Sequence, residues 1–128
     1  MKIVHPYFLL SFSVLALCSL ADHARAEGDA SRGEKKFMDC ASCHSIEAGK
    51  NGVGPSLAGI LGRKAGENPD FRFSPAMKRS DIVWSPQTLG EYIADPQKAV
   101  PANRMPYAGM PDAAERADLL AYLQKVLK

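Results

Sequence analysis

The chain has 128 residues, room for one domain and no more, and a formal net charge of +2. A balance so close to neutral gives no sign of nucleic acid or an anionic membrane surface as a partner.

The first 26 residues differ from the rest. Lys2 carries a positive charge near the start, Tyr7–Ala21 is almost uniformly apolar or small, and Ala24-Arg25-Ala26 forms an A-x-A site before Glu27. That is the layout of a cleaved secretory signal peptide over 1–26, leaving a mature domain over 27–128. A membrane anchor fits less well. A spanning helix takes roughly 20 apolar residues, and this run is shorter and ends in the polar pair Asp22-His23. Cys18 follows Leu17, too large for lipoprotein processing. Cleavage removes Lys2, Arg25 and Asp22, so the mature chain has a formal charge of +1 and keeps only two cysteines, Cys40 and Cys43, and one histidine, His44.

The mature chain reads as helical with long irregular connections. Ser31-Arg32-Gly33-Glu34 fits a capping box that opens a short helix running toward Cys43. From Gly49 to Gly66 the density of glycine predicts loop and turn. Ser85-Pro86 is an N-cap with proline at the first helical position, and Pro96 ends that helix by Asp95. Pro101, Pro106 and Pro111 stiffen an extended segment. Asp112, with Glu115 three residues on, caps the last helix, where Leu119, Tyr122, Leu123 and Val126 form one apolar stripe. No segment alternates cleanly enough for a strand. So small a domain with so much loop has little apolar surface to bury and calls for a staple or a cofactor. A flat apolar macrocycle would supply the missing core.

Cys40-Ala41-Ser42-Cys43-His44 matches the pattern of covalent c-type haem attachment. Two thiols three residues apart on a helical turn can each add to one of two neighbouring vinyl groups, and the adjacent imidazole then projects onto the iron. Structural zinc needs four Cys or His ligands, and the mature chain has three candidates. A thioredoxin-like pair needs a βαβ context that is absent, and a plain disulfide leaves His44 unexplained. With His44 on the iron, no second histidine is left for the other axial position, and methionine is the available soft donor. Met38 is too close to Cys40 to reach the far face, and Met77 fits ordinary packing. Met105, held between prolines, is favoured over Met110 on sequence logic, with Met110 the rival.

With these residues in view, the mature chain resembles the class I cytochromes c, the mitochondrial type and its soluble bacterial relatives, over Glu27–Lys128. Besides Cys-x-x-Cys-His the resemblance rests on Gly54-Pro55-Ser56-Leu57, Gly59–Gly66, Ile82-Val83-Trp84, Leu89–Ile93 and Glu115–Leu123. It implies an all-α cytochrome c fold, three to five short helices and long loops wrapped around one covalently bound haem c. It implies thioethers at Cys40 and Cys43, iron held by His44 and Met105, and a Pro55 carbonyl accepting the other ring N–H of His44. Arg63 and the indole of Trp84 should face a propionate, and Tyr92 should approach the Met105 sulfur. Gly33 and Phe37 should pack on Leu119 and Tyr122.

The chain departs from the family in several places. Phe71 and Phe73 stand for propionate-binding tyrosines, Met77 for an amide and Asn103 for a threonine, which predicts a drier propionate pocket. Asp39, Gln97, Pro111, Asp112 and Ala113 occupy positions where basic residues are common, while Lys50, Lys98 and Arg104 keep theirs. Docking should then depend only weakly on salt. The implied function is a monomeric periplasmic one-electron carrier, not an enzyme, without stable membrane insertion after cleavage. Its partners would be redox proteins: a membrane oxidase or reductase complex, or a periplasmic dehydrogenase. The alternatives are a haem peroxidase or a gas or redox sensor with a labile distal methionine.

Overall fold

The computed structural model describes residues 27–127, so the signal peptide expected over 1–26 lies outside the described residues. Asp29 starts the first helix, α1 (Ala30–Ala41), its carboxylate accepting the backbone N–H of Ser31 at 2.7 Å and of Arg32 at 3.2 Å. The sequence pattern put this cap at Ser31. Asp29 takes the position because its own N–H is anchored on Asp118 Oδ1 (2.7 Å), while the Ser31 hydroxyl donates to Asp29 at 2.6 Å. The helix also stops short of Cys43. The N–H groups of Cys43 and His44 both turn back to the Cys40 carbonyl, at 3.1 and 2.9 Å.

The glycine-rich connection is loop and turn as expected, but it is tied down. Gly62 N–H donates to Trp84 O (2.7 Å), Trp84 N–H to Arg63 O (2.9 Å) and Ala65 N–H to Ile82 O (2.8 Å). These bonds centre on an isolated antiparallel bridge between Lys64 and Val83 and set Arg63 beside Trp84. Gly66 has φ 77°, and a Cβ there would lie 2.8 Å from Lys78 Cα, so both the turn and the contact require glycine.

Three helices then begin in the same way, with a capping side chain followed by proline at the first helical position. Ser74 caps α2 (Pro75–Arg79), Ser85 caps α3 (Pro86–Ala94), and Asp95 caps α4 (Pro96–Ala99). At α3 the cap is reciprocal, since Ser85 Oγ accepts Thr88 N–H (3.1 Å) and Thr88 Oγ1 accepts Ser85 N–H (2.8 Å). α2 and α4 were not among the elements read from the sequence. The segment from Pro101 to Pro111 is irregular, as its prolines predicted. Asp112 then caps α5 (Ala113–Val126) by accepting Glu115 N–H at 2.9 Å.

Among the described residues the five helices pack chiefly through α1 on α5. A Cβ at Gly33 would lie 1.9 Å from the Asp118 carbonyl oxygen and 2.9 Å from Tyr122 Cβ, so the two backbones meet only because Gly33 has no side chain. Phe37 sits beside Tyr122 with ring centroids 5.4 Å apart. On the outer side Arg32 forks onto the Asp118 carboxylate at 2.6 and 2.8 Å and reaches Asp29 at 3.0 Å. Lys36 pairs with Glu115 across the same crossing. Leu119, Leu123 and Leu127 are buried from α5 and its end, with Phe37, Leu89, Val100 and Met110 in the same core. The fold is all-α, with no strand among the described residues.

Candidate functional site

The end of α1 and the loops after it line an apolar cavity. Its wall includes Cys40, Cys43 and His44, and also Pro55, Arg63, Trp84, Tyr92 and Met105. All eight residues singled out from the sequence therefore border one space. Phe71 and Phe73 also line it, packed edge to face with centroids 4.9 Å apart.

His44 is held on two sides. Its Nδ1 lies 2.7 Å from Pro55 O, which makes Nδ1–H the donor and leaves Nε2 with its lone pair free. Its ring lies against Gly54, where a Cβ would come within 2.4 Å of Cε1 and 2.7 Å of Nδ1. Gly54 therefore sets the imidazole plane, a role that sequence spacing alone does not reveal. Cys40 and Cys43 are free, half-buried thiols. Burial, reinforced by the nearby Asp39 charge, pushes the Cys40 thiol up. A redox-active Cys-x-x-Cys pair needs the opposite shift, toward the thiolate.

The methionines separate by location. Met38 is 67% exposed, and Met110 is buried behind the cavity wall, its N–H bonded to Ile93 O at 2.8 Å. Met77 and Met105 both line the cavity. Among the described residues only the Met105 sulfur has a phenol aimed at it, with Tyr92 Oη at 3.9 Å. Tyr92 is fixed by Trp84, ring centroids 5.2 Å apart at 69°, and its burial pushes the phenol pKa up to about 12. It therefore stays a protonated donor across the physiological range. The Met105 backbone N–H donates to Asn103 Oδ1 at 2.8 Å. Asn103 is buried, and its hydrogen-bonding role was not read from the sequence.

These residues fit a haem. The donor set is one imidazole nitrogen, one thioether sulfur and two thiols on an apolar wall. Trp84 is a buried residue on that wall; its indole N–H makes no hydrogen bond among the described residues and is not sealed in the core, so a propionate oxygen could accept it. Arg63 lies alongside with one guanidinium nitrogen 3.4 Å from Ala58 O and donors to spare. An all-helical domain folded about such a wall defines the class of small c-type haem proteins.

Residues 30–127 match the cytochrome c family, and the chain belongs to it. It is 49% identical over 90 residues to cytochrome c2 iso-2 of Magnetospirillum fulvum, covering 70% of this chain and 94% of the relative. It is 48% identical over 99 residues to cytochrome c2 of Rhodoblastus acidophilus, covering 77% and 92%. The fold is similar to that of cytochrome cH from Methylobacterium extorquens, with a TM-score of 0.72 and 44% identity over 77% of this chain and 99% of that one. The chain is thus a class I cytochrome c close to the bacterial cytochromes c2, with covalently bound haem c, an electron carrier working between redox partners and not an enzyme.

Proposed function

We propose that the haem is joined through Cys40 and Cys43, that His44 Nε2 and the Met105 sulfur hold the iron, and that the mature domain, 27–128, works in the periplasm after cleavage behind Ala26. The observation that carries the ligand assignment is the His44–Pro55 bond of 2.7 Å, which leaves Nε2 free at a cavity that Met105 also lines. Haem supplies one-electron exchange between ferrous and ferric iron. The chain does the rest: Pro55 fixes the imidazole tautomer, Tyr92 donates to the sulfur, and Arg63 and Trp84 offer donors to the propionates. With His44 and Met105 both holding the iron, no ligand position would remain for a substrate. Export is supported by the Lys2, Tyr7–Ala21 and Ala24–Ala26 pattern and by the likeness to bacterial cytochromes c2. Among the described residues no helix is long and apolar enough to cross a membrane. The reading is of a monomer that meets a membrane oxidase or reductase complex, or a periplasmic dehydrogenase.

Absorption spectroscopy of the purified holoprotein tests the ligands. The ferric protein should show the weak far-red charge-transfer band of methionine ligation. Met105→Ala should abolish that band and Met110→Ala should keep it. A wild-type protein without the band, whose ferrous form binds carbon monoxide readily, would refute the assignment and favour a sensor or peroxidase. The mass of protein recovered from the periplasm should correspond to a chain starting at Glu27 with one haem.

A further inference from the structure

We propose that Asn103 is the positioning residue that holds Met105 on the iron, an inference that rests on the ligand reading above. Met105 comes from a segment with no regular structure, so nothing in a helix or strand ladder fixes its backbone. One buried amide does that work. Asn103 Nδ2 donates to Pro96 O at 2.8 Å and to Val100 O at 3.0 Å, and Asn103 Oδ1 accepts Met105 N–H at 2.8 Å. Pro96 is the first residue of α4 and Val100 its C-cap, so the side chain clamps both ends of that helix to the ligand's own peptide. The reverse orientation of the amide would set an oxygen against two carbonyls and an NH2 against an N–H, so the partners fix it.

The chain around the amide agrees with this role. Asn103 N–H donates to Val100 O at 3.1 Å and closes a turn in which Ala102 adopts φ 65°. A non-glycine residue in the left-handed region is strained and persists where its surroundings hold it. Gln97 Nε2 adds a bond of 3.3 Å to Asn103 O. Met105 is thus held at two points, its backbone by Asn103 and its sulfur by Tyr92. Two donors and one acceptor at this reach require asparagine. Aspartate at neutral pH has no donor, serine and threonine have one, and glutamine is a methylene longer.

The test compares wild-type, Asn103→Ala and Asn103→Asp holoproteins at neutral pH, using the ferric far-red band and the affinity of the ferric iron for added imidazole. Asn103→Ala removes all three bonds. Asn103→Asp keeps the acceptor but faces both carbonyls with a carboxylate. Both variants should bind imidazole about tenfold or more tightly than wild type, with a weakened band, because the loop gives up the sulfur more readily. Asp118→Asn, which loosens the distant α1–α5 clamp, should lower stability and leave both readouts unchanged. Imidazole affinity within about twofold of wild type in both Asn103 variants, with the band intact, overturns the inference alone. A wild-type protein lacking the band overturns the ligand reading and the inference together. Should the variants fail to take up haem, hydrogen exchange in the wild-type holoprotein decides. The Asn103 side-chain amide protons should be protected, and exchange as fast as that of a solvent-exposed amide overturns the proposal.

Discussion

Replacing Gly33 by alanine tests the account of the α1–α5 crossing. The added methyl would meet Asp118 O at 1.9 Å, Asp118 C at 2.6 Å and Tyr122 Cβ at 2.9 Å. None of these can swing aside, since two are backbone and the third is a Cβ. A carbon comes no nearer to a carbonyl oxygen than about 3.3 Å, so the helices must part by roughly 1.4 Å. That separation strains the Arg32–Asp118 fork and opens the Phe37–Tyr122 contact. Overpacking of this kind costs about 3 kcal/mol, and alanine returns about 1 kcal/mol of helix propensity. The net loss is about 2 kcal/mol, or roughly 10 °C in Tm for a domain this size. Gly90→Ala is the matched control. Its methyl meets only the Leu120 Cδ1, at 3.0 Å, the far end of a flexible side chain, so it should be neutral or stabilising by about 0.5 kcal/mol. Urea unfolding of the holoproteins, followed by fluorescence of the single tryptophan, Trp84, gives both values. Equal stabilities for Gly33→Ala and Gly90→Ala would show that the close approach is not what Gly33 provides.

Three further perturbations address the site and the clamp. Gly54→Ala places a methyl 2.4 Å from His44 Cε1, and the haem-to-protein ratio of the recovered domain should fall at least about tenfold; full haem content would contradict the role given to Gly54. Tyr92→Phe removes the donor on the Met105 sulfur, making it a better donor toward ferric iron. The reduction potential should drop by roughly 20–40 mV in a spectroelectrochemical titration, equivalent to about 0.5–1 kcal/mol, and an increase would be the wrong sign. The Arg32 hydrogen bond holds the Asp118 carboxyl below its usual value of 3.8. Its contribution is therefore complete above that value and is lost as pH falls through the depressed one. Asp118→Asn should lower the urea midpoint at neutral pH and flatten its decline between about pH 5 and pH 2, and an unchanged acid limb would argue against the pairing.

Much of this was legible in the residues. The Ser85-Pro86 and Asp112–Glu115 signals gave the starts of α3 and α5, and the apolar stripe of α5 gave its buried face. Ser74-Pro75 and Asp95-Pro96 carry the same signal as Ser85-Pro86, so α2 and α4 could have been read. They are only 5 and 4 residues long, too short for an apolar period to show. The cap of α1 was misassigned because what secures Asp29 is Asp118, a residue 89 positions away. Local patterns do not contain such contacts. The same holds at the site. Cys40, Cys43 and His44 announce themselves by adjacency, whereas Gly54 and Asn103 matter through neighbours that only the folded chain brings to them. Asn103 could be flagged as a departure from the family, but its three partners lie at the two ends of α4 and on the irregular segment after it, a meeting no composition specifies.

The α1–α5 crossing also bears on when the domain can fold. It joins residues nearly ninety positions apart, so the loop it closes is almost the whole of the described residues, 27–127. Closing a loop that long is an entropic cost met before the crossing returns any packing. A chain emerging from its N-terminus cannot make that contact until Asp118 and Leu119 have been synthesised. It stays without its principal helix pair until then.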